Sequence, residues 1–253
     1  MSKKESNTKN YYYITGTSRG IGNALADLLL QNKSNYVSGI SRTCSINHSN
    51  YKHIFLDLSD IHSVNNFSFE EHCSASRIVL INNSGMIGEI KRVGNLRDVT
   101  IIDTYNVNLV SPSVLINKFV RTYRTNSTEK IIVNISSGAG KYPIDAWSAY
   151  CASKAGLDLF TKVINLEQTI TGEGFRILSV APGVVDTQMQ EMLRNSDSNE
   201  FSRLNDFVQY KKNGQLAEPK YIAYKYIEIL SNMHILKEDV FSIKDLESIL
   251  KGK

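Results

Sequence analysis

Three side chains between Ser136 and Ala155 have the types and spacing needed to give a proton to a carbonyl oxygen. Tyr150 and Lys154 are four residues apart, so on a helix they share a face with Cβ atoms about 5–6 Å apart. A fixed positive charge lowers the pKa of a phenol from about 10 toward neutral pH, which suits the acid in a carbonyl reduction. Ser137, from the preceding strand, is placed to hydrogen-bond the same substrate oxygen.

On its own, Tyr-x-x-x-Lys is more often a solvated pair on a helix surface, so its meaning depends on the other motifs. The strongest of these is the glycine-rich segment Gly16–Gly22, between a predicted strand at Tyr11–Thr15 and an amphipathic helix. Such a turn lets a diphosphate approach bare amides at a helix N-terminus. A plain tight turn is the alternative.

The remaining apolar patterns alternate between strands and helices. We predict further strands at Tyr36–Ile40, His53–Leu56, Ile78–Ile81, Ile131–Ile135, Ile177–Ala181 and Val240–Ile243. Helices are predicted at Asp60–Phe69, Val99–Arg124, Trp147–Thr169 and Tyr221–Leu230, with a polar tail after the last strand. This order predicts one α/β domain over residues 10–253, a Rossmann-type doubly wound parallel sheet of about seven strands, preceded by a flexible tail at 1–9.

Polar residues follow several predicted strands, where open α/β sheets bind ligands. Asn82-Asn83-Ser84-Gly85 is one such run, for which a capped strand-end turn is the alternative. Asn108 lies within a predicted helix, so it is either exposed or held by a specific hydrogen bond. Ser41-Arg42 ends the second strand without the acid that would repel a 2′-phosphate. Together with Arg19, Arg42 therefore predicts NADPH over NADH, unless it is a solvated loop charge.

The segment at about 186–213 is long, polar in its middle and contains several apolar side chains. We predict a substrate flap, with a plain pair of surface helices as the alternative. The predicted substrate pocket is mostly apolar and suits a flat hydrophobic carbonyl compound. Its residues are Ser137, Trp147, Tyr150, Val184, Met189, Met192, Leu193, Phe207 and Ser242.

Composition excludes several other classes of protein. The 253 residues are 42% hydrophobic and 21% charged, and the net charge of +4 is scattered, so we expect no nucleic-acid partner. Three cysteines without a Cys-x-x-Cys pair indicate a reducing compartment, and the five histidines lack metal-ligand spacing. Without an apolar signal or spanning stretch, we expect a cytoplasmic protein with no membrane partner and no metal.

Taken together, these motifs resemble those of the short-chain dehydrogenase/reductase family, in its order and spacing. The one departure is Ser84, where the family usually has Ala. The resemblance implies a bound nicotinamide dinucleotide and a catalytic tetrad of Asn108, Ser137, Tyr150 and Lys154, with Asn108 anchoring a water in a proton relay. The cofactor-binding residues expected from motif and resemblance are Gly16, Ser18, Arg19, Gly20, Ile21, Gly22, Ser41, Arg42, Asp57, Leu58, Asn82, Asn83, Ser84, Gly85, Tyr150, Lys154, Pro182, Gly183, Val185 and Thr187.

Within that family, the runs Asn134–Lys141, Trp147–Cys151 and Ala181–Gln190 are similar to the sepiapterin reductase branch, especially its bacterial benzil reductases. This implies reduction of a carbonyl flanked by a second carbonyl. It also implies that Thr187 bonds the nicotinamide carboxamide, Asn82 the adenine-side ribose, and Asp57-Leu58 the adenine edge.

Three further expectations follow from the resemblance. Pterin reductases of this branch hold their substrate with an Asp on the last strand, where this chain has Ser242, so we expect a diketone reductase rather than a sepiapterin reductase. A shift of the alignment by one turn would bring Asp239 or Asp245 there instead. A homodimer is expected through the helices at Val99–Arg124 and Trp147–Thr169. An alternative of another class is a non-catalytic nucleotide-binding sensor or scaffold.

Overall fold

Seven parallel strands form the centre of the structure, a computed structural model that describes residues 9–252. They are β1 (Lys9–Thr15), β2 (Asn35–Ser41), β3 (Tyr51–Phe55), β4 (Ala75–Asn82), β5 (Glu129–Ile135), β6 (Phe175–Ala181) and β7 (Val240–Ser242). The sheet order is β3-β2-β1-β4-β5-β6-β7. The chain therefore runs outward from β1 to β3, returns to β4 beside β1, and continues outward to β7. This confirms the predicted Rossmann-type doubly wound sheet.

Helices and short helical turns connect the strands. The α-helices are α1 (Gly20–Leu30), α2 (Ile61–Asn66), α3 (Asp98–Tyr105), α4 (Ser111–Tyr123), α5 (Ser148–Thr171), α6 (Gln188–Arg194), α7 (Leu204–Lys212), α8 (Pro219–Ser231) and α9 (Leu246–Leu250). A π-helical turn, Asn106–Val110, joins α3 to α4, and 3-10 turns lie at Gly138–Gly140 and Ile243–Asp245. None of the helices in residues 9–252 is both long and apolar enough to cross a membrane.

The central strands are apolar on both faces because each face is covered by helices. Ile14 and Val79 face the layer that contains α1 and α8, while Ile78 and Leu80 face the layer with α4. Because β1 and β4 are buried on both faces, their register in the sheet is fixed. A shift of one residue would move every side chain of the strand to the opposite helical layer. The carboxyl ends of these strands are thus fixed side by side at the point where the strand order reverses, which is where such sheets bind ligands.

The predicted helix at Val99–Arg124 is present, but it is not α-helical throughout. A π-helical turn interrupts it because the side chain of Asn108 turns inward to bond the backbone of Met86. Extra residues of this kind inside a helix occur mostly at functional sites.

Both ends of the chain differ from the expectation. β1 begins at Lys9, so that residue is part of the sheet, and the rest of the predicted tail, 1–8, lies outside the described residues. The predicted polar tail after β7 instead contains α9, whose Leu246 is fully buried against the α1 and α8 layer.

Candidate active site

A cleft of about 1590 Å³ opens at the carboxyl ends of the strands. Loops after β1, β2, β4, β5 and β6 form its walls, and α6 and α7 close one side. All nine predicted substrate-pocket residues line this cleft. So do the predicted cofactor-binding residues apart from Gly22 and Asn82.

Tyr150 and Lys154 lie in the first two turns of α5, as their spacing predicts. Their side chains are buried, with 7% and 4% exposure, and the Lys154 Nζ lies 5.8 Å from the centroid of the Tyr150 ring. Lys154 Nζ also donates a hydrogen bond of 2.8 Å to the backbone oxygen of Ile135, at the end of β5. Ser137, two residues further along, lies close enough to Tyr150 to lower the pKa of its phenol. The three groups therefore meet at the floor of the cleft.

The protonation of this group differs from the expectation in one respect. Burial raises the pKa of Tyr150 above its ordinary value, and the hydrogen bond from Ser137 lowers it only in part. Burial also lowers the pKa of Lys154 to about 8, against the opposing effect of the Asp158 carboxylate. The prediction that Lys154 lowers the pKa of Tyr150 is therefore not met by the described residues without a cofactor. With its pKa raised, the phenol of Tyr150 stays protonated and can act as a proton donor.

Asn108 is fully buried, and specific hydrogen bonds hold it, which was one of the two predicted possibilities. Its Oδ1 accepts from the backbone N–H of Met86 at 2.9 Å, and its Nδ2 donates to the Met86 oxygen at 2.8 Å and to Ser153 Oγ at 3.2 Å. A Cβ on Gly85 would lie 3.5 Å from Asn108 Oδ1 and 3.6 Å from Lys154 Nζ, so both atoms adjoin that glycine. The Asn108 side chain thus holds the loop after β4 against Lys154.

The glycine-rich turn has the form needed to receive a diphosphate. Gly16 has a φ of 75°, and a Cβ there would lie 2.8 Å from Ser84 Oγ. A Cβ on Gly22 would lie 2.4 Å from the Gly16 oxygen, so this glycine lets α1 pack directly under the turn. No side chain caps the start of α1, which leaves its first N–H groups free for an anion. These residues fit a nicotinamide dinucleotide.

Thr15 and Asn83 join the two loops at the centre of the cleft. Thr15 Oγ1 accepts from the backbone N–H groups of Asn83 and Ser84, each at 2.9 Å, while Asn83 Nδ2 donates to the oxygens of Thr15 and Gly16. Asn82, expected to bond a ribose, points the other way. It is 2% exposed, and its Nδ2 donates to Asn134 Oδ1 at 2.8 Å, while its Oδ1 has no partner among the described residues, so a ribose contact stays a prediction.

Arg42 and Asp57 mark the outer end of the cleft. Their charged groups are 3.8 Å apart, and Arg42 is largely exposed. Ser41 is buried and donates to the oxygen of Thr43 at 2.8 Å, while Asp57 accepts from the backbone and hydroxyl of Ser59. Among the predicted groups at this end, the guanidinium of Arg42 has the greatest freedom to meet a ligand.

At the inner end, the loop after β6 carries the predicted nicotinamide contacts. Gly183 has a φ of 81°, and Val185 pairs with Ala217 through an isolated parallel bridge. Thr187 precedes α6 without capping it, so its hydroxyl is left for a ligand. A Cβ on Gly20 would lie 3.7 Å from Thr187 Cγ2, which places this threonine over the glycine-rich turn.

Aromatic rings line the substrate side of the cleft. The Trp147 ring meets Tyr150 edge to face at 5.7 Å and stacks on Phe201 at 5.6 Å, with Phe207 at 5.4 Å. Leu193 from α6 completes this apolar cluster, whereas Met192 is half-exposed at the rim. The predicted flap, residues 186–213, therefore contributes α6 and α7 to the wall beside the catalytic tyrosine.

Sequence reasoning missed the residues that hold this flap in place. Phe201 is 1% exposed and was not predicted in the pocket, although its position among the flap's apolar residues was a usable signal. Asp145 accepts two hydrogen bonds from Ser202, and Ala146 beside it adopts a φ of 63°. Left-handed backbone at a buried alanine costs on the order of 1 kcal/mol and is typical of functional sites. Nothing in the local sequence indicated it.

The profile of the family described as short chain dehydrogenase matches residues 10–198, three quarters of the chain. The chain belongs to this family and is an oxidoreductase acting on CH–OH or C=O groups with a nicotinamide cofactor. The alternative of a non-catalytic sensor or scaffold is therefore disfavoured.

The comparisons also confirm the predicted branch. The chain is 34% identical to "Benzil reductase ((S)-benzoin forming)" of Bacillus cereus over 249 residues, 93% of this chain and 99% of the relative. It is 31% identical to the sepiapterin reductase of Bos taurus, over 62% of this chain and 58% of that protein. Among solved structures, the KRED1-Pglu enzyme matches with a TM-score of 0.77 and 26% identity, covering 88% of this chain and 95% of that one.

Proposed function

We propose that this protein is an NADPH-dependent carbonyl reductase that converts an aromatic or hydrophobic 1,2-dicarbonyl to the hydroxy ketone. The observation that carries the proposal is the buried side chain of Tyr150, which lines with Ser137 the floor of a cleft with aromatic walls. This arrangement suits a neutral, apolar substrate whose reacting oxygen needs a proton.

Each side chain of the site has a distinct role in the proposed reduction. Bound NADPH would supply the hydride. Tyr150 gives its proton to the substrate oxygen, and Ser137 orients and polarises that oxygen. Lys154, held by the oxygen of Ile135, binds the cofactor ribose and places its ammonium group 5.8 Å from the centroid of the Tyr150 ring. The side chain of Asn108 is already hydrogen-bonded to Met86 and Ser153. We therefore assign the binding of the proposed relay water to the backbone of Asn108.

Two features support NADPH rather than NADH. Arg42 at the end of β2 is 68% exposed in its side chain, and Arg19 lies exposed at the start of α1, so both guanidinium groups can reach a 2′-phosphate. The chain also has no acid directly after Ile40, where one would repel that phosphate.

The diketone class is supported by the apolar walls and by the benzil reductase relative, which covers nearly all of this chain. Sepiapterin is the second candidate, and the acids around β7 bear on it. Asp239 pairs with Arg176 at 2.5 Å, at the end of β7 away from the cleft. Asp245 lines the cleft but accepts from the backbone N–H of Ser242 at 3.2 Å, in a capping box. Asp239 is therefore engaged outside the cleft, and one oxygen of Asp245 is engaged in the capping box.

We further propose a homodimer with one catalytic domain per chain. Apolar side chains on one face of α5 remain exposed, namely Leu159, Val163, Leu166 and Ile170, with Ile102 of α3 also exposed. Contiguous apolar surface of this kind is typical of an interface. A concentration-independent monomer mass by light scattering would contradict the dimer.

The function is tested by following NADPH oxidation with benzil, acetophenone and sepiapterin, and with NADH in place of NADPH. We expect the highest kcat/KM for benzil with NADPH, and improved sepiapterin binding in Ser242→Asp. Efficient turnover of sepiapterin by the unmodified protein, lost in Asp245→Asn, would instead establish a pterin reductase. Absence of turnover with every carbonyl would overturn the reductase proposal.

A further inference from the structure

We propose that Gln190 and Arg194, on the inner face of α6, form a polar subsite for the second oxygen of the substrate, the one that is not reduced. The subsite would select compounds with vicinal oxygens, such as 1,2-diketones and 2-oxo acids, over plain ketones. This inference rests on the proposed reductase function and names the groups that set its substrate class.

Gln190 is buried in the wall of the cleft without a polar partner. It is 7% exposed, and within residues 9–252 its side chain makes no hydrogen bond, while its Oε1 is buried and unpaired. Burying an amide without a partner costs free energy, so nearly all such groups in folded proteins are bonded. Gln190 lines the cleft, and its amide N–H group has no partner within residues 9–252 either, so this donor is the group that can bond a ligand oxygen.

Arg194 is four residues later, on the same face of α6. Its Nη1 is buried without a hydrogen-bond partner, and no carboxylate of the described residues lies within ion-pair distance. By contrast, Arg203 and Lys211 of the flap are paired with Asp206 and Asp186, respectively. Guanidinium N–H groups only donate, so the missing partner is an oxygen acceptor.

The two groups lie on the side of the cleft where the reaction takes place. Leu193, between them in sequence and on the same helix face, packs in one apolar cluster with Trp147 and Tyr150. The indole Nε1 of Trp147 is also buried and unpaired among the described residues. Polar groups without a hydrogen-bond partner therefore lie next to the apolar cluster that contains the catalytic tyrosine.

The chemistry of these groups defines what they can hold. Arg194 donates to a carbonyl oxygen or a carboxylate, and the Gln190 amide both donates and accepts, so it can also hold a hydroxyl. Hydrogen bonds from a charged donor are the stronger kind, and a site built to bond an oxygen rejects the analogue that lacks it. A ligand with an apolar body and two adjacent oxygens matches both the apolar walls of the cleft and the hydrogen-bonding groups of the subsite.

The test compares benzil with deoxybenzoin, which has the same skeleton with one carbonyl replaced by CH₂. The ratio of their kcat/KM values is measured for the wild type, Gln190→Leu, Arg194→Met and the control Arg203→Met. Comparing ratios between variants cancels the intrinsic reactivity of the two ketones, and deoxybenzoin turnover reports that each variant is folded. We expect the ratio to fall at least roughly tenfold in Gln190→Leu and Arg194→Met, and to stay unchanged in Arg203→Met.

Phenylglyoxylate, whose second oxygen belongs to a carboxylate, separates charge from hydrogen bonding. Arg194→Met should lose more of its kcat/KM for phenylglyoxylate than for benzil, and Arg194→Lys should restore part of it. A wild-type enzyme that reduces benzil, with the same ratio in both subsite variants, would overturn the subsite while leaving the proposed function intact. A wild type that reduces neither diketone nor oxo acid would overturn the proposed function itself.

Discussion

Asp145 accepts hydrogen bonds from both the backbone N–H and the hydroxyl of Ser202, each at 2.9 Å. The carboxylate thereby ties the segment before the catalytic helix to the middle of the flap. Glu200 makes a similar connection to the opposite wall, where it accepts from the backbone N–H of Arg92 and from Asn95. The flap is thus bonded to both sides of the substrate end of the cleft.

Asp145→Asn should loosen the flap and raise KM for the carbonyl substrate by roughly fivefold, with kcat changed less. The new amide nitrogen cannot accept from Ser202, and a hydrogen bond to an exposed carboxylate is worth about 1 kcal/mol. Steady-state kinetics at saturating NADPH measure both constants. Asp206→Asn is the matched control, since it removes only an ion pair with Arg203 on the flap surface. Equal KM values in the two variants would show that the Asp145 contact does not position substrate.

Tyr150→Phe should lower kcat by at least 10²–10⁴-fold because it removes the proton donor, the usual range for loss of a general acid. Dissociation of NADPH, measured by its own fluorescence, should change little. Tyr142→Phe is the control, since that tyrosine precedes α5 and is 70% exposed. Near wild-type turnover in Tyr150→Phe would remove Tyr150 as the acid.

Arg42→Ala should lower kcat/KM for NADPH by roughly tenfold or more and leave the value for NADH nearly unchanged. The reason is that Arg42 would bond only the 2′-phosphate, and a charge-assisted bond is worth about 1.5–3 kcal/mol. Arg124→Ala, distant from the cleft, serves as the control. Parallel losses with both cofactors would mean that Arg42 acts on the fold or on the shared part of the cofactor.

Lys154 should make the stability of the cofactor-free protein depend on alkaline pH. Its pKa is about 8 in the folded chain against 10.5 for the free side chain, so between these values the unfolded chain binds more protons. The free energy of unfolding contributed by Lys154 therefore rises with pH, as burial of the charged form ceases to be required. Relative to Lys154→Met, the wild type should gain about 2 kcal/mol between about pH 7.5 and 9.5, measured by urea denaturation. A constant difference would contradict this pKa.

The fold was predictable because its signals are local and repeated. Apolar runs such as Ile78–Ile81 identify buried parallel strands, and helical spacing places Tyr150 and Lys154 on one face of α5. Every predicted residue of the substrate pocket lines the cleft, since loops at one edge of a parallel sheet must converge there.

Contacts between segments that are distant in the chain could not be predicted from the sequence. Asn82 carries the same polar signal as Asn83, and only the register of β4 against β5 shows that it turns toward Asn134. The π-helical turn around Asn108 likewise depends on a partner 22 residues away. Burial raises the pKa of Tyr150, and the sequence pattern does not show how deeply this side chain is buried.

Trp147 is the chain's single tryptophan, and its ring lies against Tyr150 in the wall of the cleft. Ultraviolet emission from the whole protein, excited at the red edge of the absorption band, therefore originates at one place in the active site. Occupation of the substrate pocket, movement of Phe201 off the indole, or arrival of a nicotinamide ring that absorbs this light would each alter that emission. The protein consequently carries its own optical reporter of ligand binding and flap motion, and no label has to be introduced.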